Sequence, residues 1–408
     1  MITTFESLKR ISSKNIVSPK GFTATGIHCG IKHKKKDLAI LVSEVPANVA
    51  GVFTTNVIKA APLVLTKQVV KEYGKMQALI VNSGNANACT GTQGYKDAET
   101  MQQLTAEKLG IAKELVGVSS TGVIGEIMNM EPIAKGIAEI TPNATLEGAI
   151  DFAQAILTTD TVTKNTAYSV SIDDKEVVIA GVAKGSGMIE PNMATMLAYI
   201  TTDADIDQQA LQQLLKEVTD VTFNAITVDG DTSTNDTVLV LANGLAGNAT
   251  LTPAHPEWET FKAAFHAVSQ DLSKMIAKDG EGATKLIEVK VEGAVTDEEA
   301  RKIAKTVVGS PLVKTAIFGC DANWGRIICA VGYSGATVDP TDVKIQIGST
   351  TVVEKGEPVP FSEEELIVYL KQNEVKIAVS LNQGEGYGTA WGCDLTYDYV
   401  QINATYRS

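Results

Sequence analysis

Lys184-Gly185-Ser186-Gly187-Met188-Ile189-Glu190-Pro191-Asn192-Met193-Ala194-Thr195-Met196-Leu197-Ala198 lies at the middle of the chain. Two strongly β-like stretches flank it, Glu176 to Val182 and Leu197 to Thr202. Its centre is an Ala-Thr bond. If the Ala194-Thr195 bond breaks, Thr195 gains a free α-amine beside its own hydroxyl. A threonine carrying its own base is an activated nucleophile. A freed α-amine has a pKa of about 8, so much of it is neutral near physiological pH. The same hydroxyl can first attack the Ala194 carbonyl, and water then hydrolyses the resulting ester. Gly185 and Gly187 permit unusual backbone conformations before the bond, and Pro191 stiffens the approach. The plainer reading of the same residues is a bulge followed by a buried strand.

Outward from this stretch, apolar runs of strand length recur: Leu38 to Val45, Gly51 to Thr55, Ala78 to Val81 and Val116 to Ser120. Further strands are predicted at Thr237 to Ala242, Lys285 to Val291, Thr315 to Phe318, Arg326 to Val331, Val343 to Ile347, Val375 to Leu381 and Thr389 to Thr405. Helical spacing marks Tyr95 to Leu109, a segment starting at Asp207, Glu257 to Lys278, and Asp297 to Val308. Helices and strands alternate without a strict βαβ cadence. The pattern predicts a layered α+β fold with sheets covered by helices. The chain of 408 residues can bury a large core. Its one candidate boundary is the Ala194-Thr195 bond, dividing it into 1–194 and 195–408.

Composition excludes several classes. The formal charge of −13 argues against nucleic acid or an anionic membrane as partner. The basic cluster Lys32-His33-Lys34-Lys35-Lys36 reads as a solvated turn. The amino terminus has no signal-like apolar core, and no stretch approaches the roughly 20 apolar residues of a membrane helix. A cytoplasmic location is expected. Five scattered cysteines read as reduced and mostly buried. No phosphate loop, dinucleotide fingerprint or Gly-x-Ser-x-Gly elbow is present, and no His or Cys pair has metal spacing. No cofactor and no metal are expected. That elimination leaves Thr195 as the best nucleophile.

Other polar clusters punctuate the chain. Asn82 to Gly91 follows a strand and reads as a turn-rich loop or a polar site wall. Ser119-Ser120-Thr121-Gly122 reads as a turn, or as a hydroxyl and an N–H aimed at one point, the design of an oxyanion hole. Thr158-Thr159-Asp160-Thr161 precedes Lys164. Thr227 to Asp236 has the look of a calcium loop, lacks the twelfth-position Glu, and reads as a structured loop. Asp279 to Lys285 joins a helix to a strand, with Gly280 first of all a helix stop, and Glu281 reads as an ordinary loop residue or as a carboxylate that could grip an ammonium group.

Taken in order, these segments resemble the ornithine acetyltransferases of arginine biosynthesis. The central stretch is similar to that family's self-cleavage signature. The blocks at Gly51–Asn56, Asn82–Asn87, Ser120–Gly125, Thr158–Thr161, Asp229–Asp236, Asp279–Lys285, Gly319–Arg326 and Ile402–Ser408 are similar to family blocks in the same order, over essentially the whole chain. The ending departs slightly, with Ser408 where the family often has Thr.

The resemblance implies a two-sheet, helix-covered sandwich, similar to but distinct from the N-terminal-nucleophile hydrolases. It implies self-cleavage between Ala194 and Thr195 into an α chain (1–194) and a β chain (195–408), associating as a heterotetramer of two each. Thr195 would accept acetyl from N-acetylornithine and pass it to glutamate. Thr121 and Gly122 would form the oxyanion hole. Thr158, Lys184, Thr195, Glu281, Asn403 and Ser408 would bind substrate, with Thr159 an alternative to Thr158. Acetyl-CoA stays open as a second donor, and no residue decides it. Two other readings are carried: an amidase or aminopeptidase on the same self-cleaving scaffold, and an uncleaved protein that binds a small polar ligand.

Overall fold

The computed structural model describes residues 8–11, 15–190 and 196–405. In chain order its strands are β1 (Lys9–Arg10), β2 (Phe22–Ile27), β3 (Leu38–Phe53), β4 (Lys75–Asn85), β5 (Val116–Val123), β6 (Lys164–Ile172), β7 (Lys175–Lys184), β8 (Leu197–Thr202), β9 (Thr237–Ala242), β10 (Leu286–Ala294), β11 (Val343–Ile347), β12 (Thr350–Glu354), β13 (Glu357–Pro358), β14 (Glu374–Leu381) and β15 (Gly386–Cys393). The helices are α1 (Ala61–Tyr73), α2 (Gly91–Leu109), α3 (Met130–Glu139), α4 (Leu146–Ala155), α5 (Gln208–Val221), α6 (Trp258–Lys278), α7 (Asp297–Gly309), α8 (Pro311–Phe318), α9 (Trp324–Gly332), α10 (Glu363–Leu370) and α11 (Tyr397–Thr405).

Leu38 to Val45 and Gly51 to Thr55 merge into the single strand β3, and its bend organises the first half of the molecule. Nine strands share one hydrogen-bonded ladder, β1-β6-β7-β8-β9-β3-β4-β5, with β2 beside β3. The register of β3 against β4 shifts between Val42 and Ala47. Before the shift β3 pairs with β2; after it, with β9.

Because alternate strand residues face opposite sides, the cores reveal the layering. Leu38 and Ile40 join Ile80, Val118, Met101 of α2 and Ile133 of α3. Ala50 and Val52 join Ile179, Ile200, Val240 and the inner faces of α5 and α6. Ala39, Leu41 and Val49 join Leu79, Val81, Tyr199 and Leu239 in a third core. The ladder therefore folds over at the β3 bend into two layers around that third core. Phe152 of α4 meets Tyr199 edge-on there, with ring centroids 5.8 Å apart. Each such buried aliphatic or aromatic side chain stabilises by about 1.5–3 kcal/mol.

The second part is a six-stranded sheet, β13-β12-β11-β14-β10-β15. One face carries α7, α8, α9 and α10 through Ile303, Val307, Ile317, Ile327 and Leu366. α6 lies between this sheet and the ladder: its Leu272 and Ile276 share a core with Trp391 and Cys393 of β15. Lys274 of α6 pairs with Glu288 at 2.8 Å, and the Trp391 indole N–H donates to the same carboxylate at 2.7 Å. Two sheets covered by helices agree with the expected fold class.

Three strand expectations are corrected. Thr315 to Phe318 belongs to helix α8, started by Pro311 with the Ser310 side chain capping the Val313 N–H. Arg326 to Val331 lies in α9, whose buried Ile327, Ala330 and Val331 have helical spacing. Thr389 to Thr405 divides into β15 and α11. The cysteines also differ from expectation: all five are free, but Cys89 and Cys329 are exposed and Cys393 alone is buried. Nor is the 32–36 cluster a plainly solvated turn, because Lys32 is half-buried. Among the described residues no helix is long and apolar enough to cross a membrane.

Candidate active site

Three parts of the fold converge on one place. In the ladder, β7 ends at Lys184, paired with Leu197 at the start of β8, and Leu197 sits beside Thr237 at the start of β9. From the facing layer come the β5 residues Thr121 and Gly122. From the second part come the loop after α6 and the helix α11. They enclose a cavity of ≈ 220 Å³. That is space on the order of seven waters at ≈ 30 Å³ each, which suits a small amino-acid derivative rather than a drug-sized ligand.

Thr121, Gly122, Thr158, Lys184, Glu281 and Asn403 all line this cavity, and so does Thr159. Six residues singled out from five separate segments thus meet. Ala194, Thr195 and Ser408 lie outside the described residues. Met196 and Leu197, which follow Thr195 directly, line the cavity.

The chain is pinned on both sides of residues 191–195. Upstream, the Gly185 N–H donates to Asp160 Oδ1 at 2.7 Å. The Met188 and Ile189 N–H groups donate to the Asp229 carboxylate at 2.6 and 2.8 Å. The Thr232 hydroxyl donates to the Glu190 carbonyl at 2.9 Å. Downstream, the Thr237 N–H donates to the Met196 carbonyl at 2.9 Å. Met188 has a φ of 57°, a left-handed conformation that costs a non-glycine residue roughly 1–2 kcal/mol. The Asp229 clamp offsets that cost.

The candidate oxyanion segment, in strand β5 rather than a turn, is equally fixed. Gly122 has a φ of 134°, and a Cβ there would run into the Gly84 backbone and the Asn85 nitrogen. Only glycine fits this close approach of two strands. The Asn235 amide donates to the Ser120 carbonyl at 2.7 Å and to the Ala86 carbonyl at 2.6 Å, tying the two loops together.

The site divides electrostatically. At one corner Lys184 is buried and donates to the Thr158 hydroxyl at 3.3 Å. Burial pulls its ammonium pKa down, against the opposing pull of Asp160. Behind it Lys164 bridges Asp160 and Asp279, at 2.6 Å to each. Burial disfavours the Asp160 anion, but Lys164, Lys184 and the Gly185 N–H outweigh it and hold the carboxyl at about 2. An acidic wall of Asp229, Asp231, Asp236 and Glu281 also lines the cavity, and the charges of Asp236 and Glu281 reach Lys184 and oppose the fall of its pKa. Glu281 is buried against Gly187 and accepts from the Asn403 amide at 2.7 Å. Burial raises the Asp229 pKa; burial and the charges of Asp229 and Glu281 raise that of the Tyr399 phenol, which stays protonated. Such a cavity can hold a carboxylate at Lys184 and Thr158 and an ammonium at the acidic wall.

Sequence reasoning missed several lining residues. Tyr399 was hidden by the strand reading of 389–405, although Tyr399 and Asn403 stand one helical turn apart. Asp229 lay in the segment read as a structured loop; it shapes the backbone and also lines the cavity. The bond from Lys164 to Asp160 has helical i,i+4 spacing without a helix, so no periodicity announced it.

A family model described as "ArgJ family" matches residues 23–408. The Geobacillus kaustophilus protein named "Arginine biosynthesis bifunctional protein ArgJ" is 56% identical over 398 residues, spanning 98% of this chain and 97% of its own. The Halalkalibacterium halodurans protein of the same name is 55% identical over 409 residues, spanning 100% of both. A crystal structure of the Bacillus halodurans protein of that name is 60% identical, with a TM-score of 0.51; it covers 52% of this chain and 100% of its own chain.

Proposed function

The chain belongs to the ArgJ family, and we propose from that premise that it transfers acetyl from N2-acetylornithine to glutamate in arginine biosynthesis. The products are ornithine and N-acetylglutamate. The observation that carries this reading is the meeting of Thr121, Gly122, Thr158, Lys184, Glu281 and Asn403 around one cavity whose wall includes the residues following Thr195.

In the proposed maturation, the Thr195 hydroxyl attacks the Ala194 carbonyl, and the peptide becomes an ester. Water cleaves the ester and leaves Thr195 with a free amine. The whole crystallised relative chain covers 52% of this chain, about the share that 195–408 makes of 408 residues, which supports a half-length product. The clamp at Met188 and Ile189 joins residues of the two products, so it favours their staying together. Two of each would form the assembly, in the cytoplasm.

In the transfer, the Thr195 oxygen attacks the acetyl carbonyl while its own amine takes the hydroxyl proton. The Thr121 hydroxyl and the Gly122 N–H receive the negative charge of the tetrahedral intermediate. The C–N bond breaks, the proton passes to the departing α-amine, and ornithine leaves an acetyl ester on Thr195. The α-amine of glutamate then attacks that ester and restores the hydroxyl. Lys184 and Thr158 hold the α-carboxylate, together with Ser408, and Glu281, oriented by Asn403, holds the ornithine ammonium. The word "bifunctional" in the relatives' names supports a second donor reaction, and acetyl-CoA is the donor assigned to it. No other cofactor enters.

The test is incubation of purified protein with N-acetylornithine and glutamate. Ornithine and N-acetylglutamate in equal amounts are expected. Free acetate as the dominant product would sink the transferase reading in favour of an amidase.

A further inference from the structure

The donor and the acceptor of the proposed transfer differ at one end. N-acetylornithine ends in an ammonium and glutamate in a carboxylate, while both carry an α-carboxylate. The acidic wall of Asp229, Asp231, Asp236 and Glu281 suits the first and repels the second. Among the described residues lining the cavity there is one lysine, Lys184, and the α-carboxylate occupies it. Lys164, just behind, is held between two carboxylates. A dicarboxylate therefore needs another cation.

Lys32 answers that need. Its stem lies along Gly84, where an added Cβ would come within 3.1 Å of Lys32 Cγ. Gly84 is the residue registered against Gly122. The Lys32 ammonium donates to the carbonyl of Leu157, the residue before Thr158, at 2.6 Å, and to the Lys36 carbonyl at 3.0 Å. It thus stands where the oxyanion loop meets the Thr158 wall. Both carbonyl acceptors are neutral, and an ammonium has three N–H donors. The loop presenting it is rigid. The buried Asp37 carboxylate accepts the N–H groups of Cys29, Gly30, Ile31 and Lys32, at 2.7, 3.2, 2.8 and 2.8 Å. Such a fixed loop lowers the ordering cost of binding.

We propose that Lys32 is a specificity residue whose ammonium receives the second carboxylate of the acidic acceptor, glutamate. This rests on the acetyl-transfer reading. Burial brings the Lys32 ammonium down to about 8; the Asp37 and Asp160 carboxylates oppose the fall, and the Lys184 and Lys35 charges add to it. The two ammoniums sense each other, and an anion between them relieves both. Lys32 is charged at neutral pH and loses its charge as pH rises through about 8, so glutamate binding weakens there.

The experiment compares wild-type enzyme, Lys32→Met and Lys32→Arg. It measures kcat and KM for N-acetylornithine and for glutamate, with glutamate KM followed from pH 7 to 9. Lys32→Met should raise the KM for glutamate about tenfold more than that for N-acetylornithine, the scale of one charge-assisted contact. Lys32→Arg should restore the ratio and remove the rise above pH 8. Lys32→Gln, which keeps a donor to Leu157, repeats the measurement if the Met variant does not fold. A ratio within threefold of wild type, or equal loss toward both substrates, overturns the assignment and leaves Lys32 a loop anchor. Wild-type enzyme that makes no N-acetylglutamate fails the transfer reading itself, a result distinct from these.

Discussion

The two sides of the cavity are built differently. The ladder side presents Thr121, Gly122 and Lys184 from strands whose neighbours are buried and cross-bonded. The other side presents Glu281 from a loop, and Tyr399 and Asn403 from α11, a helix with no buried residue and with Tyr397 and Val400 well exposed. Strand ends fix atoms closely, which bond-making requires. A loop and an exposed helix adjust more readily, which suits a wall that only has to hold the ammonium tail of the donor. Substitutions at Thr121 and Gly122 should therefore lower kcat, and those on the α11 side should raise the KM for N-acetylornithine.

The largest effect is expected at the proposed nucleophile. Thr195→Ala should leave one uncleaved chain with activity down by on the order of 10⁴ or more, read by mass spectrometry and product assay. Gly122→Ala comes next. Its methyl would collide with Gly84 and displace the N–H proposed for the oxyanion hole, and kcat should fall about 10²–10³-fold. If KM rises instead with kcat intact, the division between the two sides breaks. On the α11 side, Glu281→Gln should raise the KM for N-acetylornithine roughly tenfold through loss of an ionic contact. Its kcat should change far less.

The smallest effect concerns the support behind Lys184. The Asp160 carboxyl is held at about 2, below its ordinary 3.8. A depressed carboxylate pKa adds stability that is complete above pH 4 and lost as pH falls toward 2. Wild type should lose stability across that window, and Asp160→Asn, already weakened at pH 7, should lose less. Parallel acid-melting curves for the two would contradict the ion-pair network.

How much was legible beforehand follows the same division. β9, an aliphatic run buried on both faces, and β11, an apolar-polar alternation buried on one, were readable because burial leaves a plain pattern. α8, α9 and α11 were not, since helices of eight or nine residues rich in Thr, Ile, Val or Tyr resemble strands over so short a window. At the site, Lys184, Glu281, Thr121 and Gly122 were found through motif resemblance. The partnership of Lys164 with Asp279 spans 115 positions, and the Asp229 clamp on Met188 spans 41. Such pairings exist only in the assembled fold, with α6 packed on β6 and β7, so no local pattern carries them.

The central claim is that Thr195 carries the acetyl group. Purified protein should be incubated with N-acetylornithine alone, quenched in acid and digested. The account predicts a peptide that begins at Thr195 and bears one acetyl ester, with an equal amount of ornithine released and the ester discharged when glutamate is added. An unmodified Thr195 peptide from enzyme that still makes N-acetylglutamate, or a chain uncut at Ala194-Thr195, would contradict it.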